Sequence, residues 1–302
     1  MRLLVTGDEG LVGRALVARL REGGTQTVGF DVRRDPHEDI LEPAALRDAM
    51  AGCDGVVHLA AISRVAWGEA APELCRAVNV EGTRLVAEAA EDAGAFLVFA
   101  SSREVYGDVD EPVTEDRPRA PVNVYGRSKA DAEAVIEAAA GAGLRCSIVR
   151  LSNVYGGRGD HPDRAVPSLL QAALDERPLR ITGSGTYFDF THVDDVAGGL
   201  LAAIEGLARG EDLAPVHLAS GVKTSLADLA YACIAAAESK SVVEELPARS
   251  FDVGGFCGDP ARAADVLGWR VETSLSEGLA RLRRDLLANG PLAPVSMPAA
   301  TS

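Results

Sequence analysis

The first thirteen residues constrain the fold more than any later stretch. Arg2-Leu3-Leu4-Val5-Thr6 is a short, almost wholly apolar run that reads as a buried strand, and Gly7, Gly10 and Gly13 follow directly, opening a periodic helix over Leu11 to Arg21. A strand, a glycine turn and a helix in that order form a cradle for a nucleotide. Gly7 permits the tight turn, Gly10 lets a pyrophosphate approach the backbone, and Gly13 lets the helix pack on the sheet. The helix start at Leu11 and Val12 offers unpaired N–H groups to the anion. A second strand, Thr27 to Asp31, ends in an acid eighteen residues after Gly13. A carboxylate there accepts hydrogen bonds from both hydroxyls of an adenosine ribose, which favours NAD over NADP. The adjacent Arg33 and Arg34 keep NADP as the alternative, since they can hold a 2′-phosphate.

Beyond this unit, short apolar runs alternate with longer amphipathic stretches: Val56 to Leu59, Phe96 to Phe99 and Cys146 to Val149 read as strands. Long helices are expected from near Val78 and from Tyr125 to about Ala140. This is the pattern of an α/β protein with a doubly wound parallel sheet. After Arg150 the chain turns to loops rich in Gly, Pro and charge, then a helix at Val166 to Leu174 and a strand at Leu179 to Ile181. The expected organisation is a dinucleotide-binding domain over 1–157, to which 189–219 returns. A smaller C-terminal substrate-binding lobe is built from 158–188 and 220–288. The Pro/Ala/Ser-rich end, 289–302, reads as a disordered tail.

The remaining composition narrows the function. A net charge of −15 disfavours nucleic acid and anionic membranes as partners. The five cysteines are widely spaced without a C-x-x-C pair, so neither a disulfide framework nor a zinc site is expected. Five scattered histidines show no ligand spacing, and no metal is expected. A strand at the very start, and no apolar run near the ~20 residues of a membrane span, lead to a cytoplasmic expectation.

The chemistry is carried by Tyr125 and Lys129. One of only three lysines stands four residues after a tyrosine on an expected helix, so both side chains share a face. A neighbouring ammonium favours the ionised phenol, which titrates near pH ~10 in isolation, and the pair is expected to supply a proton-transferring group near neutrality.

With the glycine turn, the acidic strand end and this pair in view, the sequence resembles the extended short-chain dehydrogenase/reductase family, in its NAD-dependent sugar-nucleotide epimerase/dehydratase branch. The resemblance spans about residues 1 to 288. Landmarks fall in order: Thr6 to Gly13; Asp39-Ile40; His58-Leu59-Ala60-Ala61; Asn79 to Thr83; Ser101 to Gly107; Tyr125 to Lys129; Arg150 to Gly156; His192 to Asp195; and Gly258 to Pro260, leading to Trp269. It implies a Rossmann-type sheet, a homodimer through the two long helices, and NAD held by Gly7, Gly10, Leu11, Val12, Gly13, Asp31, Asp39, Ile40, Leu59, Ala60, Ala61, Asn79, Ala100, Tyr125 and Lys129.

The resemblance also implies roles. Ser102 would hydrogen-bond the reacting sugar oxygen, Tyr125 would take the hydroxyl proton as hydride leaves for the nicotinamide, and Lys129 would hold the nicotinamide ribose. A nucleotide sugar would be contacted by Ser63, Ser102, Asn153, Arg158 and Arg249. A 4-epimerase is the leading expectation. The alternatives are a 4,6-dehydratase or decarboxylase using Glu104 as a base, a net NAD(P)-dependent sugar dehydrogenase or reductase, and a non-catalytic NAD-binding sensor. Two departures bear on these alternatives. Arg103 stands where one dehydratase subgroup carries an acid, and Phe188 stands where relatives carry a phosphate-binding arginine, which leaves open a substrate without a diphosphate.

Overall fold

The structure is a computed structural model that describes residues 1–109, 111–246 and 255–297. Its strands are β1 (Arg2–Thr6), β2 (Gln26–Phe30), β3 (Gly55–His58), β4 (Phe96–Ser102), β5 (Cys146–Leu151), β6 (Asn153–Tyr155), β7 (Leu179–Thr182), β8 (Tyr187–Phe188), β9 (Phe190–His192), β10 (Val216–Leu218), β11 (Thr224–Ser225) and β12 (Val243–Leu246). Six of them form one sheet in the order β10-β5-β4-β3-β1-β2, and every pairing in it is parallel. Strand order reverses beside β1, and a doubly wound sheet binds its ligand at the carboxyl ends of the strands flanking such a reversal.

The central strands are apolar on both faces because helices cover both. On one face, helices Leu11–Glu22 and Val193–Ala208 bury Leu16, Leu20, Val196, Leu200 and Ile204 against Leu3, Val5 and Val98. On the other, Pro43–Met50, Gly82–Ala93 and Val124–Ala142 bury Leu46, Val86, Ala90, Ala132 and Ile136 against Leu4, Val56, Leu97 and Phe99. A third core gathers helices Ala165–Leu174, Leu226–Ala237 and Leu275–Asn289 around Leu170, Leu229, Cys233 and Leu279. Among the described residues no helix is long and apolar enough to cross a membrane.

The end of the chain departs from expectation. Part of the segment read as a disordered tail is packed: Leu292 is buried in the third core. Arg158 donates to the carbonyls of Asn289, Gly290 and Pro291 at 3.3, 2.7 and 3.3 Å. The last carbonyls of a helix have no partner within it, and a guanidinium supplies several donors at once. Composition registers neither effect.

Candidate active site

The glycine turn is built as the sequence requires, with one change of role. Gly7 has φ +71°, and a Cβ on it would stand 2.7 Å from the Ala60 nitrogen, so the turn lies directly against the next loop. Gly10 begins the helix without a side-chain cap, leaving first-turn N–H groups for an anion. Gly13 was expected to serve helix–sheet packing. Instead a Cβ there would lie 2.3 Å from the Gly7 carbonyl oxygen, so this glycine lets the turn fold onto its own helix.

A groove of about 450 Å³ runs along the strand ends. Gly7, Gly10, Leu11, Val12, Gly13, Asp31, Asp39, Ile40, Leu59, Ala60, Ala61, Ala100, Tyr125 and Lys129, all expected at the cofactor, line it, together with Ser63, expected at the substrate. Asn79 does not. Its amide is fully buried, accepting from the Ile62 N–H at 2.8 Å and donating to the Ile62 carbonyl and Ser128 Oγ at 3.1 and 2.8 Å. A buried amide must be satisfied, and this one fixes the loop that carries Leu59 to Ser63. His58 lies beneath that loop between Thr6 Oγ1 (2.7 Å) and Thr83 Oγ1 (3.0 Å), and burial pushes it down to about 3, so it is neutral.

Asp31 lines the groove just beyond β2. Its carboxylate accepts from the backbone N–H of Glu9 and of Arg33 at 3.0 and 2.9 Å, while the Arg33 side chain makes only long contacts of 3.4 Å. Ribose hydroxyls can displace those long contacts and leave the backbone bonds in place. Replacing Asp31 with Ala is therefore expected to weaken NAD binding by roughly tenfold or more, because two charged hydrogen bonds are lost and Arg33 is freed to favour a 2′-phosphate. Titration with both cofactors tests this, and an unchanged NAD/NADP ratio would sink it.

The reactive end is assembled from β4 and the helix after it. Ser102 ends β4, accepts from the Glu104 N–H at 3.2 Å, and hydrogen-bonds the Tyr125 side chain. Asn123 caps the helix Val124–Ala142 by accepting from the Gly126 N–H at 2.7 Å, which sets Tyr125 and Lys129 one turn apart and both buried. The expected depression of the tyrosine is not what the protein shows. Burial raises Tyr125 to about 12, opposed chiefly by Ser102, and Lys129 is not among the groups that lower it. The ammonium points elsewhere, donating to the Ala100 carbonyl at 2.8 Å and sitting 4.7 Å from the centre of the Phe99 ring, and burial lowers it to about 8. Shared helical spacing put the two on one face but did not aim one at the other.

Each carboxylate oxygen of Glu104 has a partner. Arg103 Nη2 lies 2.7 Å from its Oε1, and Asn123 Nδ2 donates to its Oε2 at 2.7 Å. Asn153 accepts from Arg103 Nε at 2.5 Å. Of the remaining expected substrate contacts, Arg158 is drawn away to the C-terminal segment, and Arg249 lies outside the described residues.

Sequence reasoning missed the outer wall of the groove. Arg64 grips Asp163 with both terminal nitrogens at 2.5 and 2.7 Å, and Trp67 meets His161 edge to face at 5.1 Å. Arg64, Trp67, His161, Arg164, Val295 and Ser296 also line the groove. Nothing in the Pro/Ala/Ser-rich tail singled out Val295 and Ser296. Removing residues 294–302, which keeps Leu292, is expected to speed cofactor loss about tenfold, the equivalent of one apolar side chain's burial. Dilution of the loaded enzyme measures it, and an unchanged off-rate would refute it.

A parallel sheet reversing at a glycine turn, an acid beyond β2 on the groove wall, and a buried serine, tyrosine and lysine beside β4 define the fold and site of the extended short-chain dehydrogenase/reductase class. The family assignment follows from comparison: the chain belongs to the NAD dependent epimerase/dehydratase family, whose model matches residues 3–216. It is 32% identical over 306 residues to a UDP-glucose 4-epimerase of Mycolicibacterium smegmatis, covering 93% of this chain and 97% of that one. Among solved structures it resembles MoeE5 in complex with UDP-glucuronic acid and NAD (33% identity, TM-score 0.85, 95% and 100% of the two chains). It also resembles DesIV, a dTDP-glucose 4,6-dehydratase from Streptomyces venezuelae with NAD and TYD bound (29% identity, TM-score 0.87, 96% and 98%). The chain is thus an NAD-dependent enzyme of this family.

Proposed function

We propose that the protein is a 4-epimerase of a UDP-activated sugar, working by transient oxidation of a secondary alcohol. The observation that carries this reading over dehydration is the state of Glu104. Its carboxylate is held at both oxygens, by Arg103 and by Asn123, and a base that must take a carbon-bound proton needs a free oxygen within reach of it. Arg103 also cannot protonate a departing hydroxyl, since a guanidinium does not give up its proton.

In this reading the residues around Gly7, Gly10 and Asp31 hold NAD, and bound NAD supplies the hydride acceptor and a cationic ring. Ser102 and Tyr125 hold the reacting carbinol between them, converting an encounter into an aligned geometry. Tyr125 receives the hydroxyl proton and returns it when the hydride comes back to the opposite face. Lys129, next to the Ala100 carbonyl, orients the nicotinamide ribose. The mycobacterial relative's named activity supports the same reaction. Assembly as a homodimer through helices 82–93 and 124–142, and a cytoplasmic location, belong to the same proposal. Incubation with UDP-glucose and UDP-galactose, read by mass spectrometry and NMR, tests it. Unchanged mass with inverted C4 is expected, and loss of water or carbon dioxide would overturn it.

A further inference from the structure

Arg103 is the strangest side chain near the reactive end. It follows Ser102 directly, opens the short 3-10 turn Arg103–Tyr106, and is nearly buried. Its guanidinium is split rather than paired: Nε serves Asn153 at 2.5 Å, Nη2 serves Glu104 at 2.7 Å, and Nη1 is buried with no partner. Two rings stand against it, with the guanidinium carbon 4.5 Å from the centre of Phe188 and 6.0 Å from that of Phe256. A guanidinium whose task was only to neutralise Glu104 would present its fork to that one carboxylate, the preferred geometry of such pairs. Here one carboxylate takes a single bond and a donor is left over. Aromatic walls exclude water and strengthen any charge pairing inside them.

Both neighbours that Arg103 serves lie close in the fold to the reactive serine and tyrosine. Glu104 touches Asn123, the cap of the tyrosine's helix, and Asn153 begins β6, whose backbone N–H bonds to the Asp189 carbonyl in the second half of the chain. The guanidinium, one residue from Ser102, therefore links Glu104 beside the tyrosine's helix to Asn153 at the start of β6 and to the Phe188 ring. We propose that Arg103 is a substrate-binding and specificity-determining residue that takes up an oxyanion of the substrate with its unspent Nη1, either a phosphate of the diphosphate or a carboxylate carried on the sugar ring. This rests on the nucleotide-sugar reading above. Phe188, placed where an arginine was expected, becomes the platform on which Arg103 lies.

The test uses the NAD-loaded enzyme and calorimetric binding of UDP, UDP-glucose and UDP-glucuronate to wild type and Arg103→Gln, with thermal unfolding and cofactor content as controls. A tenfold or greater loss for UDP-glucuronate alone assigns a ring carboxylate. An equal loss for all three assigns the diphosphate. Turnover should then show the change in KM with kcat little altered. Affinities within twofold of wild type for all three ligands would overturn the proposal. If Arg103→Gln does not fold because Glu104 is left unpaired, the double variant Arg103→Met, Glu104→Gln removes both charges and is read the same way. Wild-type protein that binds none of the three ligands would instead defeat the nucleotide-sugar reading, and this inference with it.

Discussion

Replacing Tyr125 with Phe is expected to lower turnover by about a thousandfold or more while NAD remains bound. The ring fills its place among buried side chains at the start of the helix Val124–Ala142, so deleting one oxygen leaves the packing intact. What is lost is the only phenol in hydrogen-bond contact with Ser102 among the described residues. General acid–base groups contribute about 10²–10⁴-fold, and a group that also positions the carbinol belongs at the upper end. The phenol's high value in the bare protein, about 12 through burial, means that it holds its proton near neutrality until a cation arrives beside it. The variant should therefore lose not only rate but also any alkaline rise in rate that reports a titrating phenol. Steady-state turnover, with bound cofactor measured by fluorescence, decides the matter. A variant keeping more than a tenth of wild-type turnover would remove Tyr125 from the mechanism.

The parts of this molecule that could be read in advance are those specified by neighbours in sequence. The β1–turn–helix unit needs only an apolar run, three glycines at fixed spacing and a periodic helix, all within Arg2 to Glu22. Tyr125 and Lys129 share a face because one turn of helix separates them. Pairings across long separations left no such mark. Arg103 meets Asn153, Arg64 meets Asp163, and Arg158 meets the carbonyls after Asn289. Nothing local distinguishes these arginines from solvated ones, and Arg158 was accordingly expected at the substrate. Direction is also hidden: spacing placed Lys129 beside Tyr125, but its ammonium points to the Ala100 carbonyl within β4. Burial likewise raised the tyrosine where a pairwise argument lowered it.

The same limit concealed a buried ionic group at the centre of the sheet–helix packing, Glu133. Glu133 is fully buried one turn beyond Lys129, and its carboxylate accepts from Arg150 Nε and Nη2 at 2.9 and 2.7 Å, Arg119 Nη1 at 3.0 Å and Ser101 Oγ at 2.5 Å. Arg150 in turn donates to the Tyr106 hydroxyl at 2.6 Å and the Glu115 carbonyl at 2.8 Å, and the Tyr106 hydroxyl lies 2.6 Å from His217 Nε2. Glu133→Ala would strand the Arg150 charge in the interior, and breaking a buried pair from one side typically costs about 3–5 kcal/mol. Against a total of about 5–15 kcal/mol for a typical domain, the variant should unfold at far lower urea. Glu133→Gln retains the packing and some of the hydrogen bonds, and its loss should be smaller. The pH dependence has a definite sign. Burial pushes the Glu133 carboxyl up, but Arg150, Ser101 and Arg119 outweigh it and hold the group below the ordinary glutamate range. Its contribution is therefore complete above the unfolded value of about 4.3 and is lost as pH falls through the lower folded value. Urea unfolding of wild type and Glu133→Ala at neutral and acid pH should show the gap between them closing as the solution is acidified. A gap that stays constant with pH, or a variant as stable as wild type near neutrality, would show that the Arg150 charge finds water or another partner instead.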